Sequence, residues 1–183
     1  FVVNRFFVPW LNESVRLHEE GYSIATIETA AKQAFGIGMG PFQLMNVTGV
    51  PITLHASTTL GKSFGAFYAS AASLKPQVES GQPWDLSGEP NDGDFNAVSR
   101  RLWGVVFQIA LDLVSEGVAT MEDVDIGAKV GLRWPIGPFE KMNQIGLSQV
   151  GRYVSDLGTK YGLEKPNLLA TQEEQGKAFE LSV

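Results

Sequence analysis

Few residues in this chain are equipped for chemistry, and Asn4 is the most pointed of them. It lies early in an apolar stretch, and its amide can both donate and accept a hydrogen bond. Such an amide can donate to a carbonyl or to a developing oxyanion. Asn is equally a favoured helix N-cap, so residue type leaves both readings open. The only histidines are His18 and His55, and there is no Cys. Without thiolates or a repeated His spacing no metal centre is expected, and both rings read as packed or solvent-facing imidazoles. Gly36-x-Gly38-x-Gly40 invites a dinucleotide reading. Pro41 stands where the third Gly of that fingerprint belongs, and a predicted helix, not a strand, precedes it. These glycines read as a tight interhelical loop. Asp92 and Asp94 flank Gly93 without calcium-loop spacing, and read as a solvated linker. The triplets Asn12-Glu-Ser14 and Asn46-Val-Thr48 fall within predicted helices and are not taken as glycosylation sites.

The elements that must position these residues come in two copies. Gly40-Pro-Phe-Gln-Leu-Met-Asn46 returns as Gly137-Pro-Phe-Glu-Lys-Met-Asn143, and each copy then reaches a Gly, at 49 and 146. Arg5 matches Arg101, Glu20-Gly21 matches Glu116-Gly117, and Leu60-Gly61 matches Leu157-Gly158. The ends agree as well, Glu79 to Ser87 against Glu174 to Ser182. Two copies of so long a period exclude a short-repeat solenoid and predict a duplicated unit packed as a pseudo-dimer. The expected division is 1–87, a turn-rich acidic linker 88–95, and 96–183. Asn4 breaks the register: its counterpart is Arg100, so one copy keeps a neutral amide where the other has a fixed charge.

Apolar residues recur at helical spacing throughout. Val3, Phe6, Phe7, Trp10, Leu11, Val15 and Leu17 predict a helix over 1–20, with Pro9 expected to kink or break it. A second helix is expected over 24–35. Thr120-Met-Glu-Asp123 has the pattern of a capping box for the matching helix of the second copy. Pro41 and Pro138 suit the first position of a helix, Pro51 the start of the next, and Val150, Tyr153, Val154 and Leu157 line another. No hairpin-bounded alternation occurs, so the fold class expected is all-α.

With 183 residues, 44% hydrophobic and 19% charged, the composition is that of a globular chain. The formal net charge of −6 disfavours nucleic acid and anionic membranes as partners. No apolar run is long enough for a bilayer span. The lack of Cys fits a cytoplasmic setting. The apolar start Phe1-Val-Val, without Met or a charged leader, suggests a chain that begins inside a larger protein.

Phe1-Val-Val-Asn-Arg5, the following Val8-Pro9, Leu11-Asn-Glu13 and Glu19-Glu-Gly21 resemble the opening of the C-terminal domain of 3-hydroxyacyl-CoA dehydrogenases. Gly36-x-x-Met39-Gly40-Pro41-Phe42, with Leu44 and Gly49, resembles that domain's second signature. The resemblance covers both copies and is similar to the tandem members, including those fused to an enoyl-CoA hydratase. It implies the helical fold of 6-phosphogluconate dehydrogenase C-terminal domains. It further implies NAD-dependent oxidation of (3S)-3-hydroxyacyl-CoA to 3-oxoacyl-CoA in fatty-acid β-oxidation. NAD and a His–Glu pair would come from an N-terminal Rossmann domain, with no cofactor expected in this chain. Asn4 would orient the substrate's 3-oxygen as the catalytic contribution of this domain, and Met39, Gly40, Pro41 and Phe42 would bind substrate. Expected partners are acyl-CoA, the Rossmann domain and a fused hydratase domain. The sequence departs from the family pattern at Gly38 (usually Pro), Gln43 (usually Glu), and Asn46 and Asn143 (usually Asp). Two alternatives stay open: a non-catalytic interaction module, and the helical domain of a 3-hydroxyisobutyrate or 6-phosphogluconate type dehydrogenase.

Overall fold

The computed structural model describes residues 2–181; Phe1, which opens the Val-Asn-Arg segment, and Ser182, which closes the second repeat match, lie outside them. The fold is all helical, with no strand among the described residues. The α-helices in chain order are α1 (Val2–Glu19), α2 (Ile24–Phe35), α3 (Pro41–Thr48), α4 (Val50–Phe64) and α5 (Leu74–Ser80). They continue with α6 (Phe95–Ser115), α7 (Met121–Ile126), α8 (Pro138–Ile145), α9 (Leu147–Tyr161) and α10 (Asn167–Gln175). A π-helical turn, Gly127–Gly131, extends α7. No helix among the described residues is long and apolar enough to cross a membrane.

Contacts divide the chain into two compact units. One is Phe7–Leu102; the other joins the chain up to Phe6 with the chain from Trp103 onward. The first is built on α1 to α5. Its α2 starts at Ser23, whose side chain accepts from the Thr26 N–H, and stops at Gly36, in the left-handed region at φ 63°. Ile27, Ala30, Ala31 and Phe35 form the buried face of α2, and Trp10 of α1 meets Phe35 edge-on at 5.4 Å. The second unit is centred on α6. Val105, Val106, Phe107, Ile109, Ala110, Leu111 and Leu113 are fully buried there, and the one buried polar side chain among them, Gln108, donates to Asp112 and to Glu164 O. Its α7 opens on the expected capping box. Thr120 Oγ1 accepts from Asp123 N at 3.1 Å, and Asp123 accepts from Thr120 N at 3.2 Å.

Pro9 does not break the first helix, which runs unbroken from Val2 to Glu19. An interior Pro costs about 3 kcal/mol in a helix. The face it lies on is buried, with Trp10, Leu11, Val15 and Leu17 all under 6% exposed. Burying each such side chain is worth about 1.5–3 kcal/mol, so tertiary packing outweighs the local defect. Pro51 is the second residue of its helix, not the first. At the position that matches Gly36, the second copy has Arg133, held in the same left-handed region at φ 57°. A side chain there carries a local strain that Gly36 avoids.

Candidate functional site

In each copy the Gly-Pro-Phe segment is a helix start capped by a carboxylate from the preceding helix. Pro41 occupies the first position of α3, where its missing N–H costs nothing. The next two N–H groups, of Phe42 and Gln43, donate to Glu28 Oε1 of α2 at 2.5 and 3.2 Å. The second copy repeats this with Asp125, whose two oxygens accept from Phe139 N and Glu140 N at 2.7 and 2.9 Å. A Cβ on Gly40 would overlap the Glu28 carboxylate, and one on Gly137 would overlap that of Asp125. The glycine of the repeated signature is thus set by the close approach of an acid. Burial pushes both carboxyls above their ordinary range, against the two backbone N–H bonds that favour their charged forms. Glu140 also accepts from Gly137 N at 3.0 Å and pairs with Lys129 at 2.5 Å. These contacts hold its carboxyl below its ordinary range.

A second repeated device locks the other end of α3 and α8. Asn46 donates to Trp84 O at 2.9 Å and accepts from Trp84 N at 2.8 Å. Asn143 does the same with Phe179, at 2.9 and 2.8 Å. Each latched aromatic then meets the signature Phe edge-on at 5.1 Å, Trp84 on Phe42 and Phe179 on Phe139. His18 closes the first of these clusters. Its ring stands edge-on to Phe42 and Trp84, and its Nδ1 bonds to Tyr22 O at 3.0 Å, so it is a packed imidazole. His55 is exposed.

The conserved-register arginines pair reciprocally. Arg5, near the start of α1, makes a two-pronged bond to Glu116 just past the end of α6, at 2.6 and 3.3 Å. Arg101, near the start of α6, reaches Glu20 just past the end of α1 at 2.9 Å and also bonds Glu13. Glu13 is 1% exposed and takes a further bond from Arg16 at 3.2 Å. Beside it Asn12 donates to Ala69 O and accepts from Ala71 N, at 2.9 and 2.7 Å. The Leu-Asn-Glu segment is therefore a buried framework for α1.

Asn4 has a different setting. Its side chain is exposed, it lies inside α1, not at its cap, and its amide makes no hydrogen bond among the described residues. Its neighbours are fixed in the α6–α10 unit. Val3 packs against Gly127, whose absent Cβ would lie 2.8 Å from Val3 Cγ2. Arg5 is tied to Glu116, and Phe6 meets Trp134 at 5.9 Å. The helix-cap alternative for Asn4 is not what is seen; a free amide is presented from an anchored turn.

Of the predicted substrate-binding residues, Met39 is 41% exposed, while Gly40, Pro41 and Phe42 are buried in the carboxylate-capped corner. These four lie together in the α1–α5 unit, and Asn4 belongs to the other. Glu28 and Asp125 were not singled out by residue type. The signal that finds them is spacing, since each precedes its signature Phe by 14 residues. The capped corner also bears on a nucleotide cofactor. The N–H groups at the start of α3, which could receive a phosphate, are taken by Glu28, so this glycine loop does not fit NAD.

The family described as 3-hydroxyacyl-CoA dehydrogenase, C-terminal domain, matches residues 1–89 and again 98–178. The fold is similar to that of the 3-hydroxybutyryl-CoA dehydrogenase of Escherichia coli K12, with a TM-score of 0.80 at 17% sequence identity. The likeness covers 96% of this chain and 60% of that one.

Proposed function

This chain belongs to the 3-hydroxyacyl-CoA dehydrogenase C-terminal domain family, and from that premise we propose that it is the helical, substrate-cleft half of an NAD-dependent enzyme. The reaction would oxidise (3S)-3-hydroxyacyl-CoA to 3-oxoacyl-CoA in fatty-acid β-oxidation, in the cytoplasm. NAD, which accepts the hydride in such a reaction, and a His–Glu pair for the hydroxyl proton would come from a Rossmann domain outside these residues. The observation that carries the reading is Asn4. It matches the family's Val-Asn-Arg motif, and its amide is exposed and uncommitted on a turn fixed by Val3, Arg5 and Phe6. Aimed at the substrate's 3-oxygen, such a donor holds the reacting carbon in place and stabilises charge as it develops on oxygen, at little cost in reorganisation. Arg100 at the matching place in the second copy offers no such neutral donor, so that copy is assigned a packing role in place of a partner subunit.

The proposal is tested with the purified chain and with the same chain joined to a Rossmann domain of this dehydrogenase family. NADH absorbance should appear on adding a 3-hydroxyacyl-CoA only to the joined protein. Turnover by the helical chain alone would refute it.

A further inference from the structure

The second copy holds a cavity of about 750 Å³ where the end of α8, the start of α9 and the segment after α10 meet. Arg152, Lys165 and Lys177 line it with a single carboxylate, Glu173. Glu173 is matched to Lys165 in an ion pair and rests against Gly151, where a Cβ would overlap its Oε1. That leaves two cations facing the cavity without an ionic partner among the described residues. Arg152 is held by the neutral Gln149 side chain, and Lys177 has no side-chain bond among the described residues. Ser148 and Ser155 add hydroxyls that make no hydrogen bond among the described residues. In a chain of net charge −6, two unpaired cations in one concavity are a local reversal of the field.

The duplication supplies an internal control. By the register of the repeat, the first copy has His55 where Arg152 stands, Gln82 for Lys177, Val78 for Glu173 and Pro51 for Ser148. The helical framework is shared, and so is the hydroxyl at Ser155, whose counterpart is Thr58; the Arg152 and Lys177 charges and the Ser148 hydroxyl belong to the second copy alone, so the shared fold does not account for them.

We propose that this cavity binds the diphosphate of a soluble organic ligand of nucleotide size. Arg152 and Lys177 would pair with the phosphates, Ser148 and Ser155 would donate to phosphate oxygens, and Leu147 and Ala178 would wall the organic part. The site does not depend on the catalytic reading, and binding is read directly on this 183-residue chain. A free nucleotide and the diphosphate of a coenzyme A tail share the chemistry, so both are used as probes.

Calorimetric titration with ADP, coenzyme A and adenosine is the test, repeated for Arg152→Glu and Lys177→Glu and for the first-copy control Gln82→Glu. At least one diphosphate should bind and adenosine should not. Each second-copy variant should weaken binding by about tenfold or more, and Gln82→Glu should leave it unchanged. Equal affinity for the two diphosphates assigns the site to free nucleotides, and tighter coenzyme A assigns it to the substrate's tail. No binding by either diphosphate, adenosine binding as tightly, or retained affinity in both second-copy variants with unchanged melting overturns the proposal.

Discussion

Replacing Glu28 separates the hydrogen-bonding role of its carboxyl from its charge. Glu28→Ala removes the acceptor for Phe42 N and Gln43 N and leaves the start of α3 unsatisfied in a region where Glu28 itself is 6% exposed. A buried donor without a partner costs about 1–3 kcal/mol, and the lost side-chain volume adds to it, giving about 2–4 kcal/mol in all. Glu28→Gln keeps an oxygen in place and should cost about 1 kcal/mol or less. The pH dependence has a definite sign. Burial raises the folded-state pKa above its ordinary value of 4.5, so between the two values the folded protein holds more protons than the unfolded one. The Glu28 contribution is complete below the ordinary value and is lost as pH rises through the folded one. Relative to Glu28→Gln, the wild type should therefore lose stability as pH is raised from acid towards neutral. Urea unfolding of the three proteins across that window is the assay. Glu28→Gln as damaging as Glu28→Ala, or a wild type that gains on the Gln variant with rising pH, would refute the reasoning.

Three further perturbations follow from the same geometry. Gly137→Ala would drive a Cβ into the Asp125 carboxylate and should lower stability by about 1–3 kcal/mol in thermal melts; a neutral result would mean the acid can withdraw freely. Asn46→Asp keeps the acceptor for Trp84 N but sets a carboxylate against Trp84 O, so it should cost about 1–3 kcal/mol, seen also as a shift in Trp84 fluorescence. Arg133→Gly relieves the left-handed strain at φ 57° against the greater backbone entropy of Gly, and should raise stability by up to about 1 kcal/mol in denaturant titration.

What the sequence discloses here is chiefly local. Ser23, Gly36, Thr120 with Asp123, Pro41 and Pro138 mark helix ends through contacts within a few residues, and they act as their types predict. Pro9 misleads because its cost is local and the burial that overrides it is not. The doubled Gly-Pro-Phe is plain in the sequence, but its reason is a carboxylate 14 residues earlier, and nothing in Glu28 or Asp125 alone announces it. The departures at Asn46 and Asn143 become intelligible only with the latch in view, since each amide must both donate and accept. Asn4 was the reverse case. Its type and motif singled it out, and the structure adds that its amide is exposed and uncommitted. The basic cavity of the second copy was not foreseen, because Arg152, Lys165 and Lys177 are scattered in sequence across α9, the loop before α10 and the tail after it.

The most direct measurement is steady-state kinetics of Asn4→Ala and Arg100→Ala in the enzyme that joins this domain to its Rossmann domain, with melting temperatures of both. The account predicts a kcat about 100-fold lower for Asn4→Ala with a smaller change in KM and an unaltered melting temperature, because a donor aimed at the reacting oxygen acts where charge develops. Arg100→Ala should turn over normally. Normal kcat in Asn4→Ala, with or without a loss of stability, would contradict the assignment and leave Asn4 a residue of the fold.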